Sequence, residues 1–361
     1  MTGADWPSSL HLVGSKALGG AEHWLRRFAQ ALSEQGADAT VGVRAGSAVA
    51  GLDMGGLPVR MLPFRSVWDP LSRHAVTRLV RELRPAIVQT YMGRATRLTR
   101  LPPAAGAVHV ARLGGYYKLA PYRHAHAWVG NTRGLCDWMV QQGLPAERVH
   151  HVYNFVDAPR PVPPEALAVL REGLRLPAGA LVMVVVGRLV PVKGHRLLLS
   201  ALARLPAEID ARPWRVVLVG DGPLRRELER LAGVLGIDGR LLWTGWQPAP
   251  GPYFQLADLV VFPSRDAETF GNVIPEAWAW RRPLLVTRFR GARELARHGE
   301  DAWCVPCDDA AALADGMLRL LRDQTLRGSL VEQGAARVAA ELDKSAIMAR
   351  YLELYRHLLR A

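Results

Sequence analysis

Asp258-Leu-Val-Val-Phe-Pro-Ser264, followed shortly by Glu268-Thr-Phe-Gly-Asn-Val-Ile-Pro-Glu276, is the stretch from which the rest of the chain is read. The apolar run before the proline is strand-sized, and proline ends it because it cannot donate to a ladder. Ala277-Trp-Ala-Trp280 continues a helix that stops before Pro283. Thr269, Phe270, Gly271 and Asn272 therefore fall at a strand-to-helix junction. Free backbone N–H groups and the helix dipole favour an anion at such a junction. Glu268 enters this loop and Glu276 sits in the first turns of the helix, so carboxylates that suit hydroxyl groups stand beside N–H groups that suit phosphate.

The same strand-then-helix grammar runs outward in two series. The first opens with Leu10–Val13, a glycine-rich Gly14-Ser-Lys-Ala-Leu-Gly-Gly20 and a helix to about Ser33, then strand candidates 40–43, 86–89, 107–110 and 127–129. The second opens at Leu181-Val-Met-Val-Val-Val186 and continues at 215–219, 241–243, 259–262 and 283–286. Strands alternating with helices imply parallel sheets and right-handed crossovers. The expected class is α/β, with a domain over residues 1–157 and a second over 166–343. Ala158-Pro-Arg-Pro-Val-Pro-Pro164 reads as a semi-rigid linker over 158–165. A last helix, 344–361, carries Ile347, Met348, Tyr351, Leu352 and Leu354 for packing against something large and is expected to return toward the first domain. Two such domains facing each other would leave a ligand cleft at the carboxyl ends of their strands.

Bulk properties exclude several classes. Apolar content of 49% and charged content of 22% are ordinary for a globular protein. No run approaches the roughly 20 apolar residues of a membrane span. The N-terminus lacks a signal-peptide layout, which predicts a cytoplasmic location. The net charge of +13 is uneven, since residues 1–157 hold 18 Lys+Arg against 10 Asp+Glu, a net +8. Much of that excess sits at Arg73, Arg78, Arg81, Arg84, Arg94, Arg97 and Arg100. A solvated arginine-rich face accounts for it as well as an anionic partner does. Among anionic partners a membrane surface is favoured, and nucleic acid is not expected because no nucleic-acid motif accompanies the charge.

Three further junctions carry chemistry. Gly187-Arg-Leu-Val-Pro-Val-Lys-Gly194 places Arg188 and Lys193 at the carboxyl end of the first strand of the second series. A guanidinium fork and an ammonium on one loop suit a departing diphosphate, whose growing charge they stabilise in the transition state. Gly220-Asp-Gly-Pro223 offers close backbone approach at Gly222, with Pro223 at a plausible first helical position. Gly19-Gly20 presents N–H groups in the first domain, in neither dinucleotide nor P-loop spacing. Taken together, these groups suit a nucleotide-sugar.

In this order the motifs resemble the family 4 glycosyltransferases of the GT-B fold, with two Rossmann-like domains. The matching residues are Gly19-Gly-Ala-Glu22, Gly187-Arg188, Lys193-Gly194, Gly220-Asp-Gly-Pro223, Ala257-Asp258, Pro263-Ser264, Glu268, Phe270-Gly271, Glu276-Ala277, Gly291, Glu294 and Val305-Pro306. The resemblance implies retaining transfer of a sugar from a nucleoside-diphosphate donor, with a UDP-sugar expected and GDP- or ADP-sugars suiting the same motifs. It implies that Arg188 and Lys193 hold the diphosphate, that Glu276 binds the ribose, and that Glu268 with the backbone of Thr269 to Asn272 holds the transferred sugar. Gly20 and Gly222 would complete the donor site. No cofactor and no metal are implied, and there is no Asp-x-Asp motif near a strand end. The expected acceptor is a lipid-linked or other cell-surface glycan such as lipopolysaccharide core, met by an enzyme peripheral to the membrane.

The chain also departs from the family pattern. The His often found after a middle strand of the first domain is missing from Val110-Ala-Arg-Leu-Gly-Gly-Tyr-Tyr117, where Arg112, Tyr116 or Tyr117 could serve on the acceptor side. Cys304-Val-Pro-Cys307 and His150-His151 read as incidental thiols and a polar loop pair, since no second cysteine pair exists. A GT-B-fold epimerase, a phosphorylase or a non-catalytic nucleotide-sugar-binding module remain alternatives. The first would need an acid–base pair, the second usually a pyridoxal-phosphate lysine, and the third is disfavoured by the intact charged motifs.

Overall fold

The computed structural model describes residues 5–101 and 105–360, which divide into two compact units. Unit 1 comprises Met1–Asn154 with Lys344–Ala361, and unit 2 comprises Phe155–Asp343.

Unit 1 is built on seven strands: β1 (Ser9–Val13), β2 (Ala39–Arg44), β3 (Val59–Leu62), β4 (Ile87–Tyr91), β5 (Val108–Leu113), β6 (Ala127–Gly130) and β7 (Val149–His151). They pair in the order β3-β2-β1-β4-β5-β6-β7, all parallel. β1 and β4 are buried along their whole length, as a parallel sheet covered on both faces requires. β3 and β7 escape the sequence reading because they are short edge strands with half-exposed residues and no apolar run.

The interior of unit 1 is partly polar. His11 on β1 lies 3.2 Å from Tyr91 Oη through Nδ1 and 3.1 Å from Ser9 Oγ through Nε2. Gln89 Nε2 donates to Tyr91 Oη at 2.6 Å and Tyr355 Oη donates to Gln89 Oε1 at 3.0 Å. Full burial pushes the His11 pKa down to about 3, so the ring is neutral and adds no buried charge. The helix Lys344–Leu358 thereby bonds to the central strands, with Ile347, Met348, Tyr351, Leu354 and Tyr355 buried.

Arg112, expected on the acceptor side, belongs to this interior. It is 3% exposed, donates from Nε to Tyr351 Oη at 3.0 Å and from Nη2 to Asn154 Oδ1, and lies 4.5 Å from the ring centroid of Trp24. Desolvating a guanidinium is tolerable here because acceptors and an aromatic face replace water.

Unit 2 holds β8 (Leu181–Val186), β9 (Glu208–Ile209), β10 (Arg212–Val219), β11 (Leu241–Gly245), β12 (Leu259–Phe262), β13 (Leu284–Thr287) and β14 (Trp303–Val305). The order is β11-β10-β8-β12-β13-β14, with β9 antiparallel on β10. β8 is the continuous apolar run of the sequence because it sits between β10 and β12 with helices on both faces. The proline-rich segment is tied to this unit, since Val162 N donates to Gln255 Oε1 at 2.9 Å and Gln255 Nε2 returns a bond to Val162 O at 3.0 Å. Pro223 falls two residues before the helix Arg225–Val234 rather than at its first position.

Tyr351→Phe removes only the hydroxyl that receives Arg112 Nε, leaving volume unchanged. It should lower the stability of unit 1 by about 1.5–3 kcal/mol, the worth of a hydrogen bond to a charged group. Chemical denaturation measures it, and an unchanged midpoint would show that the bond carries no stability.

Candidate active site

In unit 2 the chain winds outward from β8 to β10 and β11, then returns to lay β12 on the other side of β8. Loops leaving β8 and β12 at their carboxyl ends must diverge to opposite faces, and ligands settle in the crevice this opens. Lys193 follows β8 and Glu268 follows β12, one on each side of that reversal. Their side chains meet, with Nζ 2.7 Å from Oε2, and remain 21% and 16% exposed. Ser264 Oγ donates to the same carboxylate oxygen at 3.5 Å, and the ammonium stands 4.9 Å from the Phe262 ring centroid. The pair is thus anchored on its inner side and open to a ligand on its outer side.

The loops that carry these groups are laced backbone to backbone. Leu189 N donates to Asp221 O at 3.0 Å, Leu224 N to Leu189 O at 3.1 Å, and Arg265 N to Val192 O at 2.8 Å. Such contact leaves no room for side chains at the crossing points. Gly194 has φ +68°, and a Cβ there would lie 1.8 Å from Pro263 O. A Cβ on Gly222 would lie 2.6 Å from Leu189 O. Gly222 therefore serves loop packing in the first place, and it keeps the turn after β10 against the loop that bears Arg188.

Arg188 is exposed at the start of its loop. Thr269, Phe270 and Gly271 are buried, while Asn272 and Glu276 are half-buried at the opening of the helix Val273–Ala279. All of these residues share one edge of unit 2. Gly20 opens the helix Gly20–Glu34 after β1 in unit 1. Tyr116 packs edge-on to Trp138 at 5.3 Å and Tyr117 stacks 6.3 Å from Tyr122, both in unit 1.

His195 was given no role in the sequence, and Ser264 entered there only as part of the family pattern. Ser264 lies inside the quoted strand motif, and only its position beside Glu268 reveals a role. His195 follows Gly194 and is held neutral, its pKa lowered to about 4 by burial and by the charge of Lys193. It therefore adds no second positive charge behind Lys193.

The thiols take no part. Burial pushes the Cys304 pKa up to about 12 and also raises that of Cys307, so neither is a ready thiolate. Among the described residues no cluster of three or more His, Cys, Asp or Glu is placed to hold a metal ion.

Gly194→Ala would press a methyl group into Pro263 O and force the β8 and β12 loops apart. Overpacking of this kind costs about 1–3 kcal/mol, on top of the strain of a non-glycine residue at positive φ. A thermal unfolding midpoint equal to wild type would show that the two loops do not meet there.

Comparison with known proteins gives this geometry its setting. Residues 18–160 match the family described as Glycosyltransferase Family 4, and residues 180–323 match Glycosyl transferases group 1. Over 342 residues the chain is 32% identical to lipopolysaccharide core biosynthesis glycosyltransferase LpsE of Rhizobium meliloti (strain 1021), covering 93% of this chain and 95% of that protein. It is 31% identical over 340 residues to LpsD of the same organism, with the same coverage. Among solved structures, Anabaena Alr3699/HepE in complex with UDP and glucose shares 23% identity and a TM-score of 0.83, over 97% of this chain and 100% of that one. WaaG, a glycosyltransferase involved in lipopolysaccharide biosynthesis, shares 16% identity and a TM-score of 0.68, over 94% and 98%. The structural likenesses establish the GT-B fold of two Rossmann-like domains. Relatives above 30% identity along nearly the whole chain establish more: the protein belongs to the family 4, group 1 glycosyltransferases.

Proposed function

We propose that the protein is a retaining glycosyltransferase that moves a sugar from a UDP-sugar to a lipid-linked or lipopolysaccharide core glycan, without a metal ion. The observation that carries this reading is the Lys193–Glu268 contact of 2.7 Å at the reversal of the unit 2 sheet. As the bond from the sugar to the diphosphate breaks, negative charge gathers on the leaving oxygens. Lys193, with the exposed Arg188 of the same loop, supplies fixed positive charge there, which stabilises the transition state more than the ground state. Glu268 holds Lys193 in place and offers its carboxylate to hydroxyls of the transferred sugar. Glu276 takes the ribose hydroxyls. The UDP bound to HepE and the lipopolysaccharide core role of LpsE and LpsD support the choice of donor and acceptor.

Lys193→Ala and Arg188→Ala should each lower kcat and weaken UDP binding, by about 1.5–3 kcal/mol for a lost charge-assisted contact and by more where the contact acts in the transition state. Release of UDP from a donor panel, with a lipopolysaccharide extract as acceptor, measures this with and without EDTA. Wild-type turnover in both variants would sink the assignment, and activity abolished by EDTA would sink metal independence.

Contact with an anionic membrane surface belongs to the same reading. Among the described residues no helix is long and apolar enough to cross a membrane. On unit 1, Trp68 is 69% and Leu71 59% exposed, and the Arg97 guanidinium lies 3.3 Å from the Trp68 ring centroid. Arg73 and Arg97 stand close enough to help depress the Arg100 pKa, after burial, so further cations gather beside the Arg97–Trp68 pair. Aromatic rings beside arginines suit the boundary between headgroups and acyl chains. Vesicles containing phosphatidylglycerol should co-sediment with wild type at low salt, with binding weakened by added salt and by Trp68→Ala with Arg97→Gln. Equal sedimentation with phosphatidylcholine vesicles would remove the membrane from the reading.

A further inference from the structure

Unit 1 repeats the winding of unit 2, and its own reversal lies between β1 and β4. The segments that emerge there are Gly14–Gly20 after β1, Arg44–Ser47 at the end of β2, Pro63–Ser66 after β3 and Met92–Ala95 after β4. They hold Lys16, Arg44, Arg65 and Arg94 and no acidic residue.

Arg94 spans the reversal. Its Nη1 donates to Gly14 O at 2.9 Å and to Phe64 O at 3.5 Å, and its stem fills the space where a Cβ on Gly14 would lie, 3.1 Å away. The loops of β1 and β2 are joined beside it through Ala48 N and Lys16 O at 3.1 Å. Two donors in this corner have nothing to donate to: Arg94 Nε and Arg44 Nη1 are both buried without a hydrogen-bond partner. Burial and then the neighbouring Arg44 depress the Arg94 pKa, and no carboxylate opposes them. Two adjacent guanidinium groups with buried, unanswered donors are unfavourable as they stand, and an incoming anion relieves both the repulsion and the unmade bonds.

We infer that Arg44 and Arg94 form an anion subsite on unit 1 that takes the phosphate or carboxylate of an acidic acceptor glycan. This rests on the glycosyltransferase reading, in which the donor diphosphate is held by Arg188 and Lys193 of unit 2 and a separate cationic site falls to the acceptor. Guanidinium forks match both phosphate and carboxylate oxygens.

Full-length protein saturated with UDP, so that the donor site is filled, is titrated with glucose 6-phosphate, glucuronate and glucose at matched ionic strength. At least one anionic sugar should bind and glucose should not; which one binds identifies the anion. Arg44→Gln, whose side chain makes no hydrogen bond in the fold, should weaken that binding about tenfold or more, the loss of one charge-assisted contact. Arg94→Lys, which keeps the charge but not the fork, should also weaken it while UDP affinity stays at its wild-type value; the unfolding midpoint should stay at wild type in Arg44→Gln. A wild type that fails to bind UDP overturns the UDP-donor reading on which the acceptor role rests, and the acceptor role with it. A wild type that binds UDP but takes all three sugars alike, or none, overturns the subsite alone. So does an Arg44→Gln variant whose anionic-sugar affinity stays within twofold.

Discussion

Reversal of strand order beside β8 is the constraint on which unit 2 depends. A parallel sheet that grows first to one side and then to the other must send two successive carboxyl-end loops apart, and the gap between them cannot be filled by the chain itself. In this protein the gap is narrowed until backbone touches backbone, Arg265 N donating to Val192 O across it, while Leu189 N to Asp221 O ties the β8 loop to the neighbouring β10 loop. That closeness is what brings an ammonium from one loop to a carboxylate from the other at 2.7 Å. It also explains why glycine stands at Gly194 and Gly222, where any side chain would collide with a carbonyl oxygen.

Unit 1 meets a different demand with a different solution. Its first strand carries a histidine, its fourth a glutamine and a tyrosine, and its fifth an arginine, all buried. Interior polar groups of this kind are tolerable only when paired. The partners come from the far end of the chain, as Tyr351 and Tyr355 on the helix Lys344–Leu358. Aromatic packing reinforces the attachment, with Phe28 and Tyr351 centroids 4.6 Å apart. The last helix is therefore part of the core of the first unit.

Several buried polar atoms of unit 1 find no partner within the fold, and Arg94 Nε and Arg44 Nη1 are the ones that lie at the reversal. Elsewhere in unit 1 the buried arginine, Arg112, has its acceptors in place. Arg44 and Arg94 lie at the edge where such sheets bind ligands, so the bonds they leave unmade are ones a ligand can make.

Legibility followed sequence distance. The placing of Glu268, Glu276, Arg188 and Lys193 at strand-to-helix junctions could be read from the chain because each lies in a local segment whose form is set by proline, glycine and apolar spacing. The central strands were legible for the same reason, and the edge strands β3 and β7 were not, because half-exposed residues leave no apolar signal. The surroundings of Arg112 were not legible: its place on a middle strand is visible locally, but its partners are Tyr351, 239 residues away, and Asn154. The sequence by itself determined the class of fold, the order of its elements and which charged residues stand on the loops after β8 and β12, since those follow from local spacing. Only the tertiary structure decided that Lys193 meets Glu268, that Arg112 is a strut and that Arg44 stands beside Arg94, because each depends on how a parallel sheet brings distant carboxyl-end loops together.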